Sequence, residues 1–324
     1  MSLTATGRVE PFLAAYARRA RCVHDAVREA GVLLDAFEAV GIPALPLKGV
    51  DLLGRAYGGA MGLRHISDID LLVREESLGG IARILAGGGY EPFANGNPSF
   101  RSARGGHCID LSTELAVALE PEAVWRRAVR RPIAGRMRAV MHPEDALIHL
   151  VAYQTLHRGC LDRRFAQDVA VLLRSEAGNI DWTRVLEEIR ALRLALPFHH
   201  GLSYARQQGG ADVPDGVLTA LRDAAGAGWF ATIYRKVVCE RSARMPKLGI
   251  LLRIAFRPGP GAKAVELWRT IVPSGPFLAY RYGRRGAPGL LFARLLRPVV
   301  LACRGAALLP AWVRHLSGAP RAKG

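Results

Sequence analysis

The most informative stretch of this chain is 67–73, which reads Ser-Asp-Ile-Asp-Leu-Leu-Val. Ser67, Asp68 and Asp70 are the only polar residues in this run of Ile, Leu and Val, so it predicts a strand that is buried along most of its length. Residues two apart in a strand point to the same face, so the carboxylates of Asp68 and Asp70 project together. Two carboxylates held that close repel each other unless a cation lies between them. The stretch therefore predicts a cation site on a central strand.

A third acid strengthens this prediction, because an acidic pair alone is a weak signal that fits a solvent-facing strand end better than a cation site. Asp110 lies between Ile109 and Leu111 in another strand-like apolar run. Mg²⁺ prefers such oxygen ligands, with substrate phosphates completing its coordination. Three carboxylates on adjacent strands can hold two ions, one on a triphosphate and one that activates an attacking hydroxyl. We therefore predict Asp68, Asp70 and Asp110 as metal ligands and catalytic residues, with Mg²⁺ or Mn²⁺ as the cofactor.

A candidate phosphate-binding segment precedes the acidic strand. Lys48 and Gly49 join a short strand candidate to a helical stretch, and the first turn of a helix offers free N–H groups to phosphate. Gly49 lets the backbone approach, and Lys48 can offer a point charge to the β- and γ-phosphates. Arg64 could clamp the triphosphate in the same way. We predict nucleotide binding by Lys48, Gly49, Arg64 and Ser67, although Lys48 and Arg64 could also be ordinary surface residues.

The order of the predicted elements divides the chain into four segments. A long amphipathic helix occupies residues 1–40, and a catalytic core of short strands and helices follows at 41–120, in which 95–99 read as a hairpin loop. Residues 121–230 read as a helical domain and 231–324 as a basic, helical C-terminal region. The predicted fold class is α+β, a mixed sheet with flanking helices followed by a mainly helical domain.

The net charge is concentrated in the C-terminal region. The chain carries 45 Lys and Arg against 28 Asp and Glu, a net charge of +17, and residues 231–324 contain 18 of the basic and 2 of the acidic residues. Such a block predicts attraction to an anionic partner, which could be nucleic acid, a membrane surface or an acidic protein. A solvated, arginine-rich surface is the plainer interpretation. No helix-turn-helix, zinc-finger or RNA-binding motif supports specific nucleic-acid recognition.

The same region contains apolar residues spaced for one face of a helix. Together with neighbouring arginines they could lie at a membrane interface; these residues are Leu290, Leu291, Leu295, Val299 and Val300, with Arg294, Arg297 and Arg304. A helix packed on the body of the protein is the alternative. The arginines and prolines in 289–316 do not suit a membrane span, which needs about 20 apolar residues.

The cysteines and the N-terminal residues predict a cytoplasmic location. Five cysteines occur, an odd number, and none lies in a CxxC motif, so neither a disulfide framework nor a zinc site is expected. Residues 1–20 lack the apolar segment of a signal peptide. We expect a cytoplasmic protein, or one that associates with the surface of a membrane.

These residues resemble a known family. The run from Lys48-Gly49 through Arg64 to the strand 68–73 is similar to the uncharacterised bacterial nucleotidyltransferase family NTP_transf_5, within the polymerase-β superfamily. The run 109–111 matches the strand of that family that carries its third acid. The runs 143–150 and 165–170 resemble its helical part. The likeness spans roughly residues 34–282, and the set of Lys-Gly, Arg and DIDLLV is its most specific part.

The resemblance implies a polymerase-β-like nucleotidyltransferase fold and transfer of a nucleoside monophosphate from a metal-bound NTP, with release of pyrophosphate. It implies that Asp68 and Asp70 are metal ligands and that Asp110 is the third ligand or the general base. Two departures stand out. The wider superfamily has Gly-Ser or Gly-Gly about a dozen residues before the acidic pair, whereas Gly49 lies 19 positions before Asp68. The family often has His and Trp after the third acid, where this chain has Ser112 and Thr113.

Three functions remain open at the level of sequence. The first is an active transferase that uses an NTP, with ATP as the default, and an acceptor that is a protein, a peptide or a small molecule. The second is a catalytically silent nucleotide-binding regulatory module. The third is a basic nucleic-acid-binding protein. The intact set of three acids favours the first function, because degenerate relatives usually lose an acid first.

Overall fold

The computed structural model divides the chain into two compact units. The first comprises the described residues of 1–115, 120–146 and 174–178, and the second those of 116–119, 147–173 and 179–324. The described residues are 6–58, 60–94, 98–115, 119–226, 229–235, 248–257, 259–272 and 286–317, with the single residues 238, 275 and 278. The division of the chain into four segments stays a prediction.

Helices and short strands alternate through the first unit. In chain order they are α1 (Thr6–Glu38), β1 (Ala44–Pro46), α2 (Lys48–Arg55), β2 (Asp68–Val73), α3 (Leu78–Gly87), β3 (Tyr90–Ala94), β4 (Pro98–Ser102), β5 (Cys108–Ser112), α4 (Pro121–Arg127), β6 (Val129–Ile133) and β7 (Arg136–Val140). Short 3-10 turns lie at Met61–Leu63 and Glu75–Ser77. The hairpin loop predicted at 95–99 is partly wrong, because residues 98 and 99 belong to β4; residues 95–97 lie outside the described residues.

A five-stranded mixed sheet forms the centre of the first unit. The strand order is β1-β2-β5-β4-β3, with β2 antiparallel to β1 and parallel to β5. Strand β2 has neighbours on both sides, and Ile69, Leu71 and Leu72 are fully buried. This confirms the buried central strand expected from its apolar run.

Helix α1 packs along the first unit through its apolar stripe. Its buried residues recur every three or four positions, as one helical face requires; they are Val23, Ala26, Val27, Ala30, Leu33, Leu34 and Phe37. The helix also contacts the 3-10 turn ahead of β2, where a Cβ on Gly62 would lie 2.5 Å from the Tyr16 ring. Glycine at position 62 therefore leaves room for the Tyr16 ring against this turn.

Strands β6 and β7 form a separate two-stranded hairpin inside the segment expected to be helical. Its turn residues Ala134 and Gly135 both have positive φ, 50° and 77°. A two-residue hairpin loop of the favoured kind requires this backbone at both positions. Alanine at the first position gives no such signal in the sequence, so the hairpin could not be predicted.

The second unit is built from helices. Helix α5 (Pro143–Ala152) begins in the first unit and ends in the second, and α6 (Arg163–Ser175) lies in the second except for its last two residues. A π-helical segment (Tyr153–Arg158) joins these two helices. The later helices are α7 (Trp182–Ala191), α8 (Ala195–Gly209), α9 (Asp215–Ala224), α10 (Trp229–Tyr234), α11 (Leu248–Phe256), α12 (Gly259–Ile271) and α13 (Gly286–Ser317). Helices α6 and α8 approach closely, since a Cβ on Gly209 would lie 2.3 Å from the Ala166 carbonyl oxygen. The predicted fold class, a mixed sheet with helices followed by a helical part, is confirmed. Within the described part of the chain, no helix combines the length and apolarity that crossing a bilayer requires.

Candidate metal centre

Three carboxylates meet on the two central strands of the sheet. Strand β2 carries Asp68 and Asp70, and β5 carries Asp110. The two strands are parallel neighbours, and their register sets Asp70 directly opposite Asp110. One ligand oxygen from each of the three residues lies within 4.8 Å of the others. The structure therefore brings together the three acids that the sequence singled out.

Lys48 lies against this group of acids. Its ammonium Nζ donates a hydrogen bond of 2.7 Å to Asp70 Oδ1, in a contact that is largely shielded from water. The backbone supports the contact, since the Leu47 N–H donates to the Asp70 carbonyl oxygen at 2.9 Å. Lys48 has a φ of 47°, a left-handed conformation uncommon for a residue with a side chain. This sharp turn between β1 and α2 points the lysine at β2.

Asp70 is the most deeply buried member of the group, with 8% of its surface exposed. Burial raises the pKa of its carboxyl, and the negative charges of Asp68 and Asp110 raise that pKa further. The Lys48 ammonium acts in the opposite direction and lowers it. An ionised Asp70 therefore depends on positive charge beside it, which a lysine or a metal ion can supply.

Two serines hold the other carboxylates in place. Ser67 Oγ donates to Asp68 Oδ1 at 3.0 Å, and Ser99 Oγ donates to Asp110 Oδ1 at 2.6 Å. Ser99 has no exposed surface and faces Asp110 across the β4–β5 pairing. The sequence did not identify Ser99, because a serine near a presumed loop carries no signal and the β4–β5 pairing is not local.

Arg64 and Gly49 also lie next to each other. The Arg64 guanidinium is buried, with 8% of the residue exposed. A Cβ on Gly49 would lie 2.8 Å from Arg64 Nη1, so the missing side chain at position 49 makes room for the arginine. The structure thus gathers Lys48, Gly49 and Arg64 around the junction that precedes the acidic strand, and their roles in nucleotide binding stay predictions.

The donor set fits a hard divalent cation. All three candidate ligands are carboxylates, which suit Mg²⁺ and Mn²⁺ better than softer metals. Asp68 and Asp110 are partly exposed, so the group is open to solvent on one side. Among the described residues, no other group of three or more His, Cys, Asp or Glu side chains lies as close together.

The comparison with protein families agrees with this geometry. The profile of NTP_transf_5, described as an uncharacterised nucleotidyltransferase family, matches residues 9–209, which is more than half of the chain. The chain belongs to this family. No curated protein and no solved structure matches it. The NTP_transf_5 match covers the sheet, the three acids and the helices through α8, whereas the basic region 231–324 lies outside it.

Membership of NTP_transf_5 supports transferase activity in general and a nucleoside triphosphate as substrate. It agrees with the acidic group, since nucleotidyl transfer depends on carboxylate-bound divalent cations. The family description names no acceptor, no metal and no particular nucleotide.

Proposed function

We propose that this protein transfers a nucleoside monophosphate from an NTP to a hydroxyl group, in a reaction that depends on Mg²⁺ or Mn²⁺. The observation that carries the proposal is the meeting of Asp68, Asp70 and Asp110 within 4.8 Å on two parallel strands. In the reaction, the acceptor oxygen forms a bond to the α-phosphorus. The bond from that phosphorus to the bridging oxygen breaks, and pyrophosphate leaves.

The three acids would hold the metal. A divalent cation bound there supplies positive charge to the triphosphate and lowers the pKa of the attacking hydroxyl. Asp68 and Asp70 are the ligands on β2, and Asp110 is the third ligand or the general base that accepts the hydroxyl proton. The hydrogen bonds from Ser67 and Ser99 fix the orientation of the Asp68 and Asp110 carboxylates.

The basic residues near β2 would bind the triphosphate. The Lys48 ammonium balances the charge of Asp70 through their hydrogen bond. When a cation binds Asp70 instead, Lys48 would donate to a phosphate oxygen. Arg64 lies against Gly49 at the start of α2, where the first helical turn also offers N–H groups. ATP is the expected nucleotide, and the acceptor would be a protein, a peptide or a small molecule.

The decisive experiment follows label from α-³²P-labelled NTPs into acceptors from a host lysate, with Mg²⁺ or Mn²⁺. The active-site variant is Asp68→Asn/Asp70→Asn, which keeps side-chain size. Asp212→Asn is the matched control, because Asp212 is an exposed acid outside the acidic group. We expect labelled acceptor with the wild type and the control and none with the double variant.

Other outcomes separate the rival functions. Metal-dependent NTP binding without transfer, across lysates and all four nucleotides, would favour the silent regulatory module. If a folded wild-type protein shows no transfer and also no NTP binding, the proposal is overturned. Retained transfer in the double variant would show that the label moves without the acidic group.

For the C-terminal region we propose the surface of an anionic membrane as partner. Helix α13 exposes an apolar face formed by Leu291, Leu295 and Val299, which are 57%, 69% and 57% exposed. Arg294 is exposed beside it. An apolar face flanked by arginines suits the boundary between headgroups and acyl chains. A nucleic acid would leave the same face in water, so the membrane is favoured over nucleic acid.

A further inference from the structure

A second cluster of reactive side chains joins α1 to the start of β5. Cys22 Sγ lies 3.6 Å from His107 Nε2, and His107 Nδ1 lies 2.8 Å from Glu29 Oε2. The order of thiol, imidazole and carboxylate is that of a nucleophile, its acid–base partner and an orienting group. None of these three residues belongs to the acidic group on β2 and β5.

Glu29 is held in place from several sides. Its Oε2 also accepts the His107 backbone N–H at 3.1 Å, and its Oε1 accepts the Tyr90 hydroxyl. A Cβ on Gly106 would lie 2.6 Å from Glu29 Oε1, so glycine at that position allows the carboxylate to approach the chain. The carboxylate therefore fixes the plane of the imidazole and its contact with Cys22.

The imidazole carries a positive charge at neutral pH. The hydrogen bond to Glu29 raises the pKa of His107 to about 9, although burial acts in the opposite direction. Burial raises the pKa of Glu29, but the hydrogen bonds from His107 and Tyr90 outweigh burial and lower it. Both nitrogens of an imidazolium donate hydrogen bonds. Since Nδ1 donates to Glu29, Nε2 donates to the Cys22 sulfur, which accepts.

Cys22 is also accessible. It is exposed at the surface of α1, whereas Cys108 and Cys160 are half-buried. Cys303 is the other exposed cysteine among the described residues, and no imidazole contact is found for it in that part of the chain. Reactive cysteines are accessible thiols in electropositive surroundings, and Cys22 has both properties.

We propose that Cys22 is a nucleophilic thiol that is oxidised by peroxides to a sulfenic acid, with His107 as its cationic partner and Glu29 as a positioning residue. The sulfur, as thiolate, attacks one peroxide oxygen and the O–O bond breaks. The departing oxygen takes the proton from His107 Nε2, and with hydrogen peroxide it leaves as water. The sulfur loses two electrons and the peroxide gains two, which gives the first step of cysteine oxidation.

The test compares two cysteines in the same molecule. Purified full-length protein is exposed to hydrogen peroxide at neutral pH, sulfenic acid is trapped with dimedone, and labelling rates at Cys22 and Cys303 are read by peptide mass spectrometry. Cys303 reports on peroxide dose and general exposure. We expect Cys22 to be labelled about tenfold faster than Cys303, as for thiols beside a cation.

Variants separate the imidazolium from a general effect on structure. Glu29→Gln keeps the shape of the side chain and removes its charge, and we expect the Cys22 rate to fall about tenfold while the Cys303 rate stays constant. Asp25→Asn is the matched control, because Asp25 is an exposed acid on the same helix. It should change neither rate. His107→Gln serves as the second variant if Glu29→Gln does not fold.

Two results at Cys22 would overturn the proposal. One is equal labelling of Cys22 and Cys303 in the wild type. The other is an unchanged Cys22 rate in a folded Glu29→Gln or His107→Gln protein. A fall at both cysteines in these variants also counts against the proposal, because it indicates a structural role for the cluster.

Discussion

At the scale of single residues, Lys48 and the acidic group are electrostatically coupled. Lys48 donates to Asp70 at 2.7 Å, and this buried acid needs a positive neighbour. A metal ion and the lysine would both stabilise its charge. Under the proposed function, the lysine would compete with the metal when no nucleotide is bound and would contact the phosphates when one is.

Lys48→Met should consequently change the two affinities in opposite directions. We expect about tenfold tighter binding of Mn²⁺ alone, because a nearby like charge is removed, and about tenfold weaker binding of NTP with metal. Isothermal titration calorimetry at pH 8 measures both. Lys263→Met is the control, since Lys263 is an exposed lysine on α12. Weaker Mn²⁺ binding in Lys48→Met would contradict the coupling.

Ser99 tests how far orientation of Asp110 matters. Ser99→Ala removes the 2.6 Å hydrogen bond to Asp110, which is worth about 1 to 1.5 kcal/mol. We expect about a tenfold lower rate of nucleotidyl transfer with nearly unchanged NTP binding. Ser102→Ala, on the same strand, should leave the rate unaltered, since the Ser102 hydroxyl accepts from the Arg104 N–H instead. An unchanged rate in Ser99→Ala would mean that Asp110 needs no support from β4.

The sequence predicted some of these residues because their signal is local. An acidic pair in an apolar run, with a third acid in a second apolar run, has few structural explanations, so Asp68, Asp70 and Asp110 could be predicted from the sequence. Ser99 and the hydrogen bond from Lys48 to Asp70 could not. Both depend on which strands become neighbours and on a left-handed backbone at Lys48, and neither has a sequence pattern.

At the scale of elements, the parallel pairing of β2 with β5 creates the acidic group. Residues 68–72 pair with 108–112, and a shift of one residue would turn Asp110 to the opposite face. The apolar runs predicted that both segments are strands. Their order in the sheet depends on contacts far apart in the chain, and the apolar pattern does not encode it.

The stability that the Glu29–His107 ion pair between α1 and the start of β5 gives to the fold should depend on pH. The pKa of Glu29 is lowered on folding, so its stabilising effect is present above about pH 4.5 and is lost as the pH falls. The pKa of His107 is raised to about 9, so its stabilising effect is present below about pH 6.5 and is lost as the pH rises through 9. Glu29→Gln should cost about 1 to 2 kcal/mol at pH 7, after allowance for the half-buried position, and much less at pH 10.

Thermal unfolding of the wild type and of Glu29→Gln at pH 7 and pH 10 measures this cost. Tyr90 and Cys22 also contact Glu29 and His107, respectively. Asp25→Asn serves again as the control for loss of an acid on α1. A difference in Tm of equal size at both pH values would show that the contact stabilises the fold without the ion pair.

At the scale of the whole molecule, the basic region should bind vesicles that contain phosphatidylserine more tightly than neutral phosphatidylcholine vesicles. Leu291→Glu/Leu295→Glu should weaken binding about tenfold or more, because it places charge on the apolar face of α13. Val32→Glu/Val40→Glu is the control, because it adds the same charge at two residues of the first unit that are both 60% exposed. Co-sedimentation with vesicles measures all three proteins.

The outcomes of this experiment distinguish a membrane from a nucleic acid as the partner of the basic region. Equal losses in both double variants would mean that net charge alone attracts the protein to the membrane. Binding to RNA or DNA with a steep salt dependence, and none to vesicles, would favour the nucleic-acid interpretation and contradict the membrane.

The overall organisation was predictable in outline. Strand-like runs followed by helical periodicity indicate an α+β chain, and the structure confirms it. The sequence did not reveal that the long helix α1, the β6–β7 hairpin and residues 174–178 belong to the same compact unit as the sheet. Such grouping arises from contacts between distant segments, for example the close approach of Gly62 to Tyr16.

The hydrogen bond from Lys48 to Asp70 has a consequence for the life of the protein in the cell. The ammonium already offsets part of the repulsion among the acids, so folding on the ribosome should not have to wait for a cation. We expect a chelator such as EDTA to leave Tm nearly unchanged while it abolishes nucleotidyl transfer. Cells starved of magnesium or manganese would then keep a stock of intact, idle protein, and would restore its activity by import of the ion without new synthesis.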